Sequence, residues 1–288
     1  MRGNFSRHAA ERKRMEHYKL LLFDLDGTLL RSDKTISQTT LKALQECRER
    51  GKLIGVCTSR AEQNTLFFVK ELQPDILITS GGALTQYNGR YIYRAEFSTE
   101  ETRRMIALAR EVCGRDCQIT IDTIDSHYWN YRSDPKAQDQ SWGDSIYTDF
   151  EEFKENSLKM CVEIFEDSQA RRLQELLDEC DCVRFSDGYW YKFTKKTATK
   201  ERAITEVCAA CKIKEEEIMA FGDDYVDIGM LRLCGKGVAM GNALREVKEN
   251  ADCVIGGNDE DGIAEYLAAV IQTDTKTPQH HRHTFYTA

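Results

Sequence analysis

The sequence lacks any long apolar run. Its continuous hydrophobic stretches are strand-sized, far short of the roughly 20 residues a membrane-spanning helix needs. It also lacks an excess of positive charge, with 40 Lys and Arg against 48 Asp and Glu for a net charge of −8. That balance argues against non-specific binding to nucleic acid or to an acidic membrane surface. It also requires an anionic ligand to meet a locally positive site, built from a metal ion or a few placed cations. The basic, polar start MRGNFSRHAAERKRMEHY has no apolar signal core. No even cysteine framework is present among the eleven cysteines. The close pairs Cys208/Cys211, Cys180/Cys182 and Cys113/Cys117 have no second pair at the spacing a zinc site wants. Free structural thiols in a reducing, cytoplasmic setting are therefore expected. Three of the six histidines, His280, His281 and His283, fall in a polar tail. Internal repeats and low-complexity tracts are absent.

What is present is an ordinary globular balance, 41% apolar and 31% charged residues over 288 positions, enough for one or two full hydrophobic cores. Apolar runs of strand length at 20–23, 53–57, 76–79, 218–221, 238–240 and 253–255 alternate with helical patterns. Between the first two, TTLKALQECRERG sets Leu41, Leu44 and Cys47 on one helical face and stops at Gly51. Continuous apolar strands joined by helices predict a doubly wound, parallel-sheet α/β core of Rossmann-like type. The alternation breaks between 86 and 187. There Ser98 and Glu101 form a capping box that opens a helix through Val112. Strands at 119–123 and 160–165, a helix at 168–177 and short strands at 183–185 and 189–193 follow. This predicts an inserted α/β domain at 86–187 between core segments 15–85 and 188–273. Residues 1–14, with Met15 a candidate start, and 274–288 are expected to be unstructured. The insert's middle, SHYWNYRSDPKAQDQSWGDSIYT, is a long aromatic loop of the kind that is more often functional than idle.

Chemistry concentrates where strands end. KLLLFDLDGTLL runs a hydrophobic strand into Asp24, Leu25, Asp26, Gly27 and Thr28. Two carboxylates at i and i+2 beyond a buried strand sit where ligands bind in open α/β sheets. A calcium loop is excluded, because its sixth position would be Leu29 instead of Gly and its twelfth Thr35 instead of Glu. Thr58, Ser59 and Arg60 follow the second strand. Lys200 opens a helix behind Thr199, a natural N-cap. AFGDDYVDIGML takes another apolar strand into Gly222, Asp223 and Asp224, with Asp227 close behind.

These four segments, in this order, resemble the four motifs of the haloacid dehalogenase-like superfamily. The resemblance implies that Asp24 is the nucleophile and Asp26 the general acid/base. Thr58, with Ser59 and Arg60, would bind the transferring phosphoryl group. Lys200 would hold the nucleophile and phosphate charges, whereas Lys192, Lys195 and Lys196 are expected to be solvated surface. Asp24, Asp26, Asp223 and Asp227 would hold the metal. The stretch GVAMGNALREVKENADCVIGGNDEDGIAEYL resembles the C-terminal part of the Cof-like subfamily, whose type IIB cap is inserted where 86–187 lies, and adds Asn242 as a phosphate-binding candidate. Four close carboxylates facing a phosphate dianion repel without a cation, and an all-oxygen donor set favours Mg²⁺ over Zn²⁺.

The implied activity is Mg²⁺-dependent hydrolysis of a small phosphorylated metabolite, a sugar phosphate above all, by a monomer or homodimer that binds neither nucleic acid nor membrane. A phosphohexomutase of the same fold and a weakly active or non-catalytic metabolite-binding protein are the alternatives. A receiver-like signalling domain is disfavoured because it has no cap and no second aspartate as acid/base. Two departures stand out: Val226 replaces the usual Asn of the fourth motif, and Gly81 replaces an Asn after the third strand.

Overall fold

The computed structural model describes residues 15–131, 145–185 and 188–272. The expected unstructured ends, 1–14 and 274–288, lie outside the described residues, as do residues 132–144 of the aromatic loop, 186–187 and 273.

The strands in chain order are β1 (Leu20–Phe23), β2 (Leu53–Cys57), β3 (Ile76–Thr79), β4 (Leu84–Tyr87), β5 (Arg90–Arg94), β6 (Ile119–Asp122), β7 (His127–Trp129), β8 (Ile146–Tyr147), β9 (Lys159–Glu163), β10 (Cys180–Arg184), β11 (Trp190–Lys195), β12 (Ile218–Gly222), β13 (Lys236–Ala239) and β14 (Cys253–Val254). Eight of them form one sheet in the order β14-β13-β12-β1-β2-β3-β4-β5. The six from β14 to β3 run parallel. All four side chains of β1 are fully buried, as a strand covered on both faces requires. The helix Gln38–Glu49 fills the first crossover, with the Ser37 side chain accepting from the Thr40 amide at its start and Leu44 and Cys47 buried. Because β12 and β2 flank β1, the strand order reverses there. This switch point opens a crevice at the carboxyl ends of the strands.

The sheet ends in an antiparallel hairpin, β4–β5. Asn88 (φ 49°) and Gly89 (φ 72°) turn it, the left-handed pair that a two-residue type I′ hairpin demands. The insert expected to begin at 86 therefore starts, as a separate sheet, only after Arg94.

The second sheet has the order β10-β11-β9-β6-β7-β8, antiparallel throughout apart from β7–β8. It runs to Lys195, beyond the 187 expected. The helices Thr99–Cys113 and Asp167–Leu176 pack on one face, where Ile119, Ile121, Met160, Val162 and Phe193 meet Met105, Ile106 and Leu173. The capping box of Ser98 and Glu101 is formed in full. Side chains alternate across a strand, so the other face carries Thr120, Asp122, His127, Lys159, Lys192 and Thr194. These polar residues are buried as well, because that face lies against the first sheet. Lys159 Nζ donates to Ser59 O at 2.8 Å, and Ser80 Oγ donates to Asp122 Oδ2 at 3.0 Å. Lys192, expected on the surface, is only 5% exposed. Pairing with β9 and β10 on both sides carries it inward.

Candidate active site

Asp24, Thr58, Ser80 and Asp223 each follow the last residue of a parallel strand or close it, so four neighbouring strand ends deliver them to one edge. Lys200 reaches the same edge from the helix Lys200–Cys211, whose Thr199 cap accepts from the Arg202 amide. Gly82 allows that helix start to lie against the end of β3. Its φ is 100°, and a Cβ there would stand 2.2 Å from Thr199 O.

Lys200 Nζ is 2.7 Å from Asp24 Oδ1, 2.6 Å from Asp227 Oδ1 and 2.8 Å from Cys57 O. Burial would lower its pKa, but the Asp227 and Asp24 charges outweigh burial and raise it well above the usual lysine value. Asp24 is pushed well up, first by burial and then by the charge of Asp227, with Lys200 opposing. Burial likewise pushes Asp223 up to about 7, although Thr28 Oγ1 donates to its Oδ1 at 2.7 Å. Asp227 is held rigidly, its Oδ2 accepting from the Asp223 and Asp224 amides at 3.0 and 3.1 Å.

Oxygens of Asp24, Asp223 and Asp227 lie within 4.8 Å of one another. Only carboxylates compose this group, and two of the three are raised by burial and mutual charge. That donor set fits a hard, oxygen-preferring divalent cation. The fourth expected ligand, Asp26, is not among the grouped oxygens. Its carboxylate is bound by Arg60 Nε at 2.5 Å, by Arg60 Nη2 at 2.8 Å and by Lys34 Nζ at 2.8 Å. Burial would raise Asp26, but Arg60 and then Lys34 outweigh it and hold it below the ordinary carboxylate value.

The phosphate-binding candidates divide. Thr58 is buried at the end of β2, with its Oγ1 accepting from the Arg60 amide at 3.1 Å. Ser59 Oγ is buried and has no hydrogen-bond partner among the described residues, a hydroxyl free for a ligand. Arg60, by contrast, is committed to Asp26 and lies over the Phe68 ring, 4.9 Å from its centroid. Asn242 serves the backbone: its Nδ2 donates to Gly27 O at 2.7 Å and its Oδ1 accepts from the Asn258 amide at 3.0 Å. It fastens three loops of the edge together. Val226 stands half-buried in the turn Tyr225–Asp227 and offers no polar atom.

Sequence reasoning missed Lys34, whose only signal was its place eight residues beyond Asp26. It also missed Asp122, His127 and Lys159. His127 Nδ1 and Lys159 Nζ approach the Asp122 carboxylate at 2.6 and 2.7 Å, and the pairing of strands that joins Lys159 to Asp122 leaves no pattern along the chain.

A family model described as haloacid dehalogenase-like hydrolase matches residues 21–267. The chain belongs to these hydrolases, as a Cof-like phosphatase with a type IIB cap. It is 30% identical over 259 residues to the 5-amino-6-(5-phospho-D-ribitylamino)uracil phosphatase YcsE of Bacillus subtilis, covering 86% of this chain and 94% of that one. A subclass IIB sugar phosphatase of the superfamily matches with TM-score 0.75 and 28% identity, covering 88% of this chain and 99% of the other. A superfamily phosphatase from Bacteroides thetaiotaomicron matches with TM-score 0.75 and 27% identity, over 88% and 96% of the two chains.

Proposed function

We propose that this phosphatase is Mg²⁺-dependent and hydrolyses small phosphorylated metabolites, sugar and polyol phosphates above all, through an aspartyl-phosphate on Asp24. The observation that carries the reading is the buried Lys200 ammonium bridging Asp24 and Asp227 beside the Asp223 carboxylate. Lys200 aims a nucleophilic carboxylate and leaves its second oxygen for phosphorus. The substrate class is supported by the phosphoribityl and sugar-phosphate specificities named for the relatives.

An Asp24 oxygen attacks phosphorus as the bond to the leaving oxygen breaks, and Asp26 delivers a proton to that oxygen. Water then gives its proton to Asp26 and attacks phosphorus, the Asp24–phosphorus bond breaks, and inorganic phosphate leaves. Arg60 and Lys34 keep Asp26 ionised and ready as the base of this second step. A substrate phosphate that draws Arg60 away frees Asp26 to carry the proton of the first. Mg²⁺ bound by Asp24, Asp223 and Asp227 would offset the charge of the transferring phosphoryl oxygens. The cysteines, none of them in a disulfide, support a reducing, cytoplasmic setting.

The test is a screen of phosphorylated metabolites with Mg²⁺, run on the protein and on Asp24→Asn. The variant keeps the shape but cannot attack, so turnover should fall to background, and chelation should silence the parent until Mg²⁺ returns. Variant activity within about tenfold of the parent, or full activity in excess chelator, would overturn the reading.

A further inference from the structure

The cations at the meeting of the two sheets are nearly all neutralised. Lys200 is bound by Asp24 and Asp227, Arg60 and Lys34 by Asp26, and Lys159 by Asp122. Lys192 is the exception among the described residues of this interface. It is 5% exposed, and its side chain makes no hydrogen bond or ion pair with any described residue. Its Nζ reaches the carboxyl edge of the first sheet, standing 2.9 Å from where a Cβ on Gly81 would be. The Gly81 amide in turn donates to Thr58 O at 3.0 Å. The missing side chain at 81 thus leaves the space into which the Lys192 ammonium projects, one residue layer from the phosphate-binding strand end.

Burying an ammonium without a counter-ion is costly. Here burial and then the positive charge of Lys159 bring Lys192 down to about 8, with Lys200 adding to the effect and Cys161 and Asp181 opposing it. The fold retains the charge, and no carboxylate among the described residues forms an ion pair with it. Beyond Lys192 on the same face, Tyr131 lies between Trp129 and Trp190, with ring centroids 4.9 and 5.8 Å apart. This is an aromatic wall suited to a carbon skeleton.

Resting on the phosphatase reading, we propose that Lys192 binds a second anionic group on the leaving part of the substrate, so that the preferred substrates are phosphate monoesters that also carry a carboxylate or another phosphate. Lys192 is then a specificity residue. It reads the end of the molecule that is not hydrolysed, while Asp24, Thr58 and Lys200 handle the end that is.

The experiment measures binding, by calorimetry with Mg²⁺ on the Asp24→Asn protein, for matched pairs of ligands. The pairs are glycerol 3-phosphate against 3-phosphoglycerate, and fructose 6-phosphate against fructose 1,6-bisphosphate. The second anion should tighten Kd by about tenfold or more in at least one pair, and which pair responds tells carboxylate from phosphate. Adding Lys192→Met should bring that ratio close to one, and Lys192→Arg should keep most of it. In the parent background alone, the ratio should shrink as pH rises from 7 to 9.5, because the free ammonium loses its proton near 8. No preference in either pair, a preference that survives Lys192→Met, or a ratio flat with pH would each overturn the proposal. Should the preference hold while the wild-type protein turns over no phosphate ester, the catalytic reading fails and the anion site stands.

Discussion

Two lysines buried about equally deeply, Lys200 at 3% and Lys192 at 5% exposure, show what neighbours do to a charge. Lys200 sits on the first sheet's edge between two carboxylates and is raised well above its usual value. Lys192 projects from the second sheet's inner face toward the same edge, forms no ion pair with a described carboxylate, and is lowered by burial to about 8. Among the described residues the proposed catalytic edge is thus electrostatically closed, with each cation matched, whereas the cap face is open by one positive charge. A closed set positions its own groups for chemistry. An open one is completed by something that binds.

The comparison can be broken first at Asp26, the proposed acid/base. Asp26→Asn should cost about 10²–10⁴-fold in turnover of an alkyl phosphate, and much less with p-nitrophenyl phosphate, whose leaving group scarcely needs a proton. Equal losses on both substrates would remove Asp26 from the matched catalytic set. Next, Lys200→Met leaves Asp24 and Asp227 buried without their cation, which should destabilise the fold by about 3–5 kcal/mol in chemical denaturation without Mg²⁺. A loss under about 1 kcal/mol would show that the two carboxylates take up protons at little cost.

Lys192→Met tests the opposite sign. The folded pKa of about 8 lies below the unfolded lysine value of 10.5, so below pH 8 both states carry the proton and the folded state bears the whole penalty. Between 8 and 10.5 the unfolded chain holds a proton that the folded one has lost, so wild-type stability rises with pH. The variant should therefore be more stable at pH 7, by about 3 kcal/mol at most, with a gap that closes toward pH 10.5. A variant less stable than wild type at pH 7 would mean that the ammonium is satisfied within the protein. The smallest effect is expected at Val226. Val226→Asn places an amide in the turn that carries Asp227 and should tighten Mg²⁺ binding or raise kcat/KM, by up to about 10-fold, the low end for a supporting partner. No functional gain together with a lower Tm would indicate a turn repacked around Val.

Much of the first sheet was legible along the chain. β1, β2 and β3 fall at 20–23, 53–57 and 76–79 as their apolar runs predict, because a strand buried on both faces needs such a run wherever it packs. The capping box at Ser98 follows equally from local chemistry. The β4–β5 hairpin did carry a signal, the Asn88-Gly89 pair between alternating residues, yet its strands lie where the insert was expected. The sheet to which they belong is decided by pairing with β3. Ser59 and Arg60 were both named as phosphate ligands, but only the tertiary structure shows that Arg60 is bound to the Asp26 carboxylate, across 34 positions.

By itself the sequence determined which residues stand at strand ends and helix starts, where the proposed chemistry lies. An aspartate, a threonine or a lysine just beyond a buried strand or at a helix start has its place set by local backbone and hydrophobic burial. Only the tertiary structure decided which charges neutralise one another. Ion pairing falls off within a few ångströms and does not depend on separation along the chain. Asp122 with Lys159, neighbours across β6 and β9, and Asp24 with Lys200 therefore became visible only once the strands and helices had come together, as did Lys192, which forms no ion pair with a carboxylate among the described residues.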